Sequence, residues 1–133
     1  MKPFLWSRIF LGLNAGFSIL TGLALIFMPE PIVKLMFLED INWMTTLFVA
    51  AGGGLIIFAL GLIFLIRDKL LTKPKVMAIA AADVGWVVSS CVVLLLFNDT
   101  LTLKGVALIS GVGFVIAVFA AGQVLGTRAS VVV

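Results

Sequence analysis

Four long apolar stretches dominate the chain, over residues 6–28, 43–66, 76–97 and 103–125, and polar residues gather in the short connections between them. Each stretch holds about 20 residues or more, enough to cross a hydrocarbon layer of ~30 Å at ~1.5 Å per helical residue. Lipid offers no partner to a backbone N–H or C=O, so each stretch must satisfy its own backbone as a helix. The pattern predicts an all-α membrane protein: a four-transmembrane-helix antiparallel bundle, folded as a single integral membrane domain over 1–133. The first stretch resembles a secretion signal in position. Its apolar run is too long for one, and Pro29-Glu30-Pro31 follows where a small-residue cleavage site would be expected, so it reads as a retained helix.

The connections add an orientation. Residues 67–75 read RDKLLTKPK, and with Lys2, Arg8 and Arg128 they place seven Lys and Arg on one side of a four-pass chain, against Lys34 and Lys104 on the other. Basic residues favour the cytoplasmic face, so both termini and the middle loop are expected in the cytoplasm. Residues 29–42 are too apolar for a free loop. Pro29 and Pro31 end the first helix and can open another. A short interfacial helix between helices one and two is expected there, with Lys34, Glu39 and Asp40 reaching water; the alternative is a loop tucked over the bundle. Asn98-Asp99-Thr100 has the composition of a tight turn and makes helices three and four a hairpin.

Composition sharpens this picture. The chain is 63% hydrophobic and 11% charged, with a mean hydropathy of +1.33. A small soluble domain cannot hide that excess in its core. The net charge of +3 would suggest nucleic acid in a soluble protein, but here the basic residues stand at segment ends and serve orientation, so no nucleic-acid partner is expected. There is no histidine and no tyrosine, and Cys91 is alone within an apolar run. The common metal and haem ligands and the commonest general base are therefore missing, and no metal or cofactor is expected.

All 13 glycines fall within the four stretches or at their ends, as expected where small residues bring membrane helices together. Gly12-x-x-x-Gly16, the run Gly52-Gly53-Gly54 with Gly61, the face Ala81–Gly85–Ser89, the face Gly113–Ala117–Ala121 and Gly122-x-x-x-Gly126 are the candidate packing faces. The spare faces on the last helix suit a homo-oligomer or a membrane-protein partner.

Few polar residues lie deep enough to carry chemistry. Asp83 is seven residues past Val76, ~10 Å along the helix, and Asn14 is eight past Trp6, ~12 Å from the same side. Ser18 continues the Asn14 stripe. On helix three Trp86 and Ser90 share the Asp83 face, and Gln123 enters from helix four near its end. Asp83, Asn14, Trp86, Ser18, Ser90 and Gln123 are thus the candidates for binding a ligand or a proton. A carboxylate at such a depth is a functional candidate by default, and equally a structural acid hydrogen-bonded to a neighbouring helix. Arg8 lies ~120° around helix one from Asn14 and is expected to snorkel outward rather than pair with Asp83.

The stretches SRIFLGLNAGFSILTGLALIFMPEP and AAGGGLIIFALGLIFLIRD, with the compact hairpin of the last two helices, resemble the DoxX-like group of small bacterial four-helix membrane proteins. The resemblance implies a four-helix bundle in a bacterial inner membrane. It transfers no catalytic residue. With no nucleophile–base pair, the expected function is non-enzymatic: packing against or binding lipophilic partners, as an accessory subunit or homo-oligomer. The alternative is a small proton- or cation-coupled transporter acting through Asp83.

Overall fold

The computed structural model describes residues 4–132, which form five helices: α1 (Leu5–Phe27), α2 (Pro29–Met36), α3 (Met44–Arg67), α4 (Lys73–Leu96) and α5 (Leu103–Val132). Lys2, one of the basic residues counted above, lies outside the described residues. α1, α3, α4 and α5 are each long and apolar enough to cross a membrane. They alternate in direction, so the chain is a small polytopic membrane protein.

The boundaries follow from local chemistry. α1 stops at Phe27 because Pro29 and Pro31 open α2, where a missing N–H costs nothing in the first turn. α4 begins at Lys73, a turn ahead of the apolar run, because Pro74 suits the first turn of a helix. α5 continues seven residues past Leu125, ~10 Å beyond the apolar stretch.

Helix neighbours do not form a closed ring. α3 packs on α1, α1 on α5, and α5 on α4, while α3 and α4 make little direct contact along their length. At the end carrying both chain termini, Leu71 of the connecting loop closes the gap, buried with Leu11, Ala15, Leu62 and Val76. At the opposite end Val33, Met36, Phe37, Met44 and Leu101 form a second apolar cluster.

α2 belongs to that second cluster. Its exposed Lys34, and Glu39 and Asp40 beyond it, face outward as expected. The segment after it is also stitched to the α4–α5 turn, so the helix and the tucked loop coexist. Leu38 N–H donates to Thr100 O at 2.6 Å, and Thr102 N–H to Met36 O at 2.7 Å. The Thr102 hydroxyl donates to Leu35 O and accepts from Gly105 N–H, capping α5. Gly105 is required here, since a Cβ would collide with the Met36 carbonyl.

The glycine faces divide. Gly22 and Gly52 meet across α1 and α3: a Cβ on Gly52 would lie 2.7 Å from Gly22 O, and one on Gly22 would lie 2.9 Å from Gly52 O. Gly122 sits against the Phe10 ring and Gly126 against Ser7, so the last small-x-x-x-small pair does serve the α1–α5 contact. Gly113 is buried, and a Cβ there would lie 3.9 Å from Ser90 Cβ. Other expectations are corrected. Ala81, Gly85 and Ser89 are exposed on the outside of α4, and a Cβ on Gly85 would meet nothing within 4 Å. Gly16, Gly53 and Gly61 are equally open, and Ala117 and Ala121 face outward. The physical reason is that an outward face in lipid needs no polarity, so a small-residue stripe can lie on either side of a helix.

Candidate functional site

A polar layer crosses the bundle between the two apolar clusters. Asp83 stands ten residues into α4 and Asn14 nine into α1, ~15 and ~14 Å from the same end. Because α5 overruns its apolar stretch, Gln123 is also well inside rather than near the end. The three side chains meet. Asn14 Nδ2 donates to Asp83 Oδ1 at 3.1 Å and Oδ2 at 2.9 Å. Gln123 Nε2 donates to Oδ2 at 3.2 Å. Ser18 Oγ donates to Asn14 Oδ1 at 3.3 Å, orienting the Asn14 amide so that its NH2 faces the carboxylate. All four residues are buried, Asp83 at 3% exposure.

The sequence does not single out Ser7. Its hydroxyl donates to the Gln123 backbone carbonyl at 2.8 Å, tying the start of α1 to α5. The signal was present: Ser7, Leu11, Asn14, Ser18 and Gly22 follow helical spacing and are all buried. The buried stripe of α1 thus extends beyond Asn14 and Ser18, down through Ser7 and up through Gly22. Gln123 Oε1 is buried with no hydrogen-bond partner among the described residues.

Beside this layer lies a cleft of about 320 Å³, in the gap between α3 and α4. Ala51, Gly54, Leu55 and Phe58 of α3 form one wall, and Ala82, Asp83 and Trp86 of α4 the other. Asn14 and Ser18 of α1, with Ile116 of α5, form the floor. The α3 wall has a spacing of three, one and three, a single helical face that the sequence shows but does not mark as different from its lipid-facing neighbours. Trp86 is half-buried at the cleft, as placed from sequence. Ser90 is not: it lies outside the cleft lining, and its hydroxyl donates to Trp86 O one turn back in its own helix. One further turn along α4 from Trp86 carries Ser90 onto the α5 contact at Gly113.

Arg8 also departs from expectation. It does not snorkel into solvent but is buried at 6% exposure, with its guanidinium donating to Ile66 O at 2.5 Å and Asp68 O at 2.7 Å. It thereby satisfies carbonyls that the C-terminus of α3 leaves open, where positive charge is favoured. Asp68 next to it accepts from Lys75 Nζ at 2.7 Å and from Leu70 N–H. The Lys75 hydrogen bond, with the Leu70 N–H, holds the Asp68 carboxyl below the usual carboxylate range. Lys75–Asp68 is the ion pair formed among the described residues, and it is far from Asp83.

Chemically, the layer presents a carboxylate satisfied by neutral N–H donors and faced by an apolar cleft. No group of three or more His, Cys, Asp and Glu gathers into a metal site among the described residues. No known protein family, curated protein or solved structure matches the chain.

Proposed function

We propose that this chain is a non-enzymatic membrane protein that holds a lipophilic ligand in the α3–α4 cleft, with the ligand's polar group on the Asn14–Asp83 layer. The observation that carries the reading is the cleft itself. Its lining is mostly apolar, with Asn14, Ser18 and Asp83 as the polar groups, in the place where two neighbouring helices fail to pack. Pockets for small molecules combine apolar lining with a few fixed polar groups in this way. A ligand dissolved in the bilayer reaches such a cleft sideways, without crossing a polar surface.

Trp86 supplies the assay. In a Trp6→Phe/Trp43→Phe background it is the single tryptophan of a chain that has three. Titrating 1-decanol into nanodiscs should change its emission with a saturating component. A Cβ on Gly54 meets nothing within 4 Å, so Gly54→Phe should fill the cleft without a backbone clash and abolish saturation. Linear, unsaturable changes in both proteins would show bulk partition only and remove the reading.

A second reading, a small proton- or cation-coupled transporter acting through Asp83, is favoured because no cationic side chain among the described residues bonds that carboxylate. Proton uptake by proteoliposomes, lost in Asp83→Asn, would support it. The Lys and Arg distribution supports a cytoplasmic location for both termini and the α3–α4 loop. The stretches that resemble DoxX-like proteins support a bacterial inner membrane. Reporter fusions at Thr72 and Asp99 should report cytoplasm and exterior respectively; the reverse result would invert the orientation. The small-residue groove between α4 and α5, lined by Ala80, Ala117 and Ala121, supports packing against a membrane partner or a second copy.

A further inference from the structure

We propose that the ligand of the α3–α4 cleft is a lipophilic organic cation, whose positive charge is held between the Asp83 carboxylate and the Trp86 ring. The inference rests on the cleft being a ligand site and adds the ligand's charge.

The electrostatics of the layer point this way. Asp83 is the one acidic side chain in the interior of the four spanning helices, and its hydrogen bonds come from the neutral amides of Asn14 and Gln123. Arg8, the one basic side chain buried among the described residues, is engaged at the end of α3 with the carbonyls of Ile66 and Asp68. A carboxylate in a low-dielectric setting needs either a proton or an opposite charge, and among the described residues no cationic side chain bonds Asp83. The orphaned Gln123 Oε1 adds a further acceptor to the layer with no donor to meet it.

The cleft decides what kind of cation fits. A hard metal ion takes six or more oxygen ligands. Here a single carboxylate is set among N–H donors and apolar walls. Trp86 and Phe58 face the same space as Asp83, and aromatic faces attract cations, most strongly when both are out of water. An alkyl or aryl body would lie along Ala51, Leu55 and Ile116, while the ammonium head sits at the Asp83 layer. An anionic ligand would meet the carboxylate unfavourably, and a neutral one would leave it to be neutralised by a proton.

The test compares decyltrimethylammonium with 1-decanol, which share the chain and differ in charge. Both are titrated into single-Trp86 protein in phosphatidylcholine nanodiscs, whose zwitterionic surface does not concentrate cations. The cation should saturate the Trp86 signal at a concentration lower by roughly tenfold or more, the ratio that one desolvated cation–π contact would supply. Asp83→Asn should keep decanol binding and lose the preference for the cation, and Asp83→Glu should retain the preference. Decanol also serves as the folding control for each variant. Equal affinities in the parent, or a preference that survives in Asp83→Asn, would overturn the charge assignment and leave the cleft standing. Saturation by neither probe would remove the cleft reading and this inference with it.

Discussion

Two substitutions at Asp83 separate its contribution to the fold from its contribution to binding. Asp83→Leu removes the acceptor for three N–H···O contacts, two from Asn14 and one from Gln123. Interhelical hydrogen bonds in membranes average ~0.6 kcal/mol each, so the loss comes to about 2 kcal/mol. It rises further because the Asn14 and Gln123 amides are buried and lose their acceptor. Asp83→Asn acts differently. Its carbonyl still accepts from Asn14, and once the Gln123 amide turns over, its new NH2 can donate to Gln123 Oε1, which has no partner among the described residues. It also removes any ionised form, whose burial is itself costly. The Asn variant should therefore be as stable as the parent or slightly more so, while the Leu variant unfolds earlier. Equilibrium unfolding in mixed micelles of mild detergent and SDS measures both. If Leu is tolerated as well as Asn, the three contacts contribute nothing to stability. If Asn is as damaging as Leu, the carboxylate's charge is required by the fold itself, and the ligand reading loses its motive.

The α1–α3 contact offers a second test: Gly22→Ala and Gly52→Ala should each destabilise by roughly 1–3 kcal/mol, the usual cost of overpacking, because the new Cβ meets a backbone oxygen that cannot move alone. Gly85→Leu should be nearly silent in the same unfolding assay, since its face is open, and a large loss there would show that this face is covered in the membrane. Arg8→Ala should cost about 2–4 kcal/mol, because two hydrogen bonds from a charged donor are lost at 1.5–3 kcal/mol each before solvent repairs part of the exposed α3 end. Arg8→Lys should recover only part of it, since an ammonium cannot reproduce the guanidinium fork; full recovery would mean that charge near the α3 terminus is all that counts.

What the sequence shows and what it conceals share one cause. Length and hydropathy determine how many helices cross and roughly where they begin, because only a long apolar helix is stable in lipid. Depth along each helix follows from residue count, which is why Asn14 and Asp83 could be placed in one layer before any contact was known. Gln123 joins that layer from the last helix, and lies deeper than the end of the apolar stretch at Leu125 implies because α5 itself runs to Val132. Rotation about the helix axis is harder to read. In a soluble bundle the hydrophobic stripe marks the inward face. Here both faces meet an apolar medium, so Gly85 and Gly52 carry the same signal, yet Gly85 faces outward and Gly52 closes a helix pair. Only a polar side chain has a strong preference for the interior, and the buried stripe of α1 is indeed traced by Ser7, Asn14 and Ser18. The same reasoning accounts for Arg8, whose outward path assumes that water is its best partner. The unsatisfied carbonyls at the end of α3 offer a better one, and they belong to Ile66 and Asp68, 58 and 60 positions away. The gap between α3 and α4 leaves no mark in sequence for the complementary reason: residues lining an apolar cleft and residues facing lipid answer to the same solvent. What distinguishes the cleft is Asp83 and Asn14 in its lining, so in a chain of this kind the few polar residues within the spanning helices are the guide both to which way a helix faces and to where a ligand would sit.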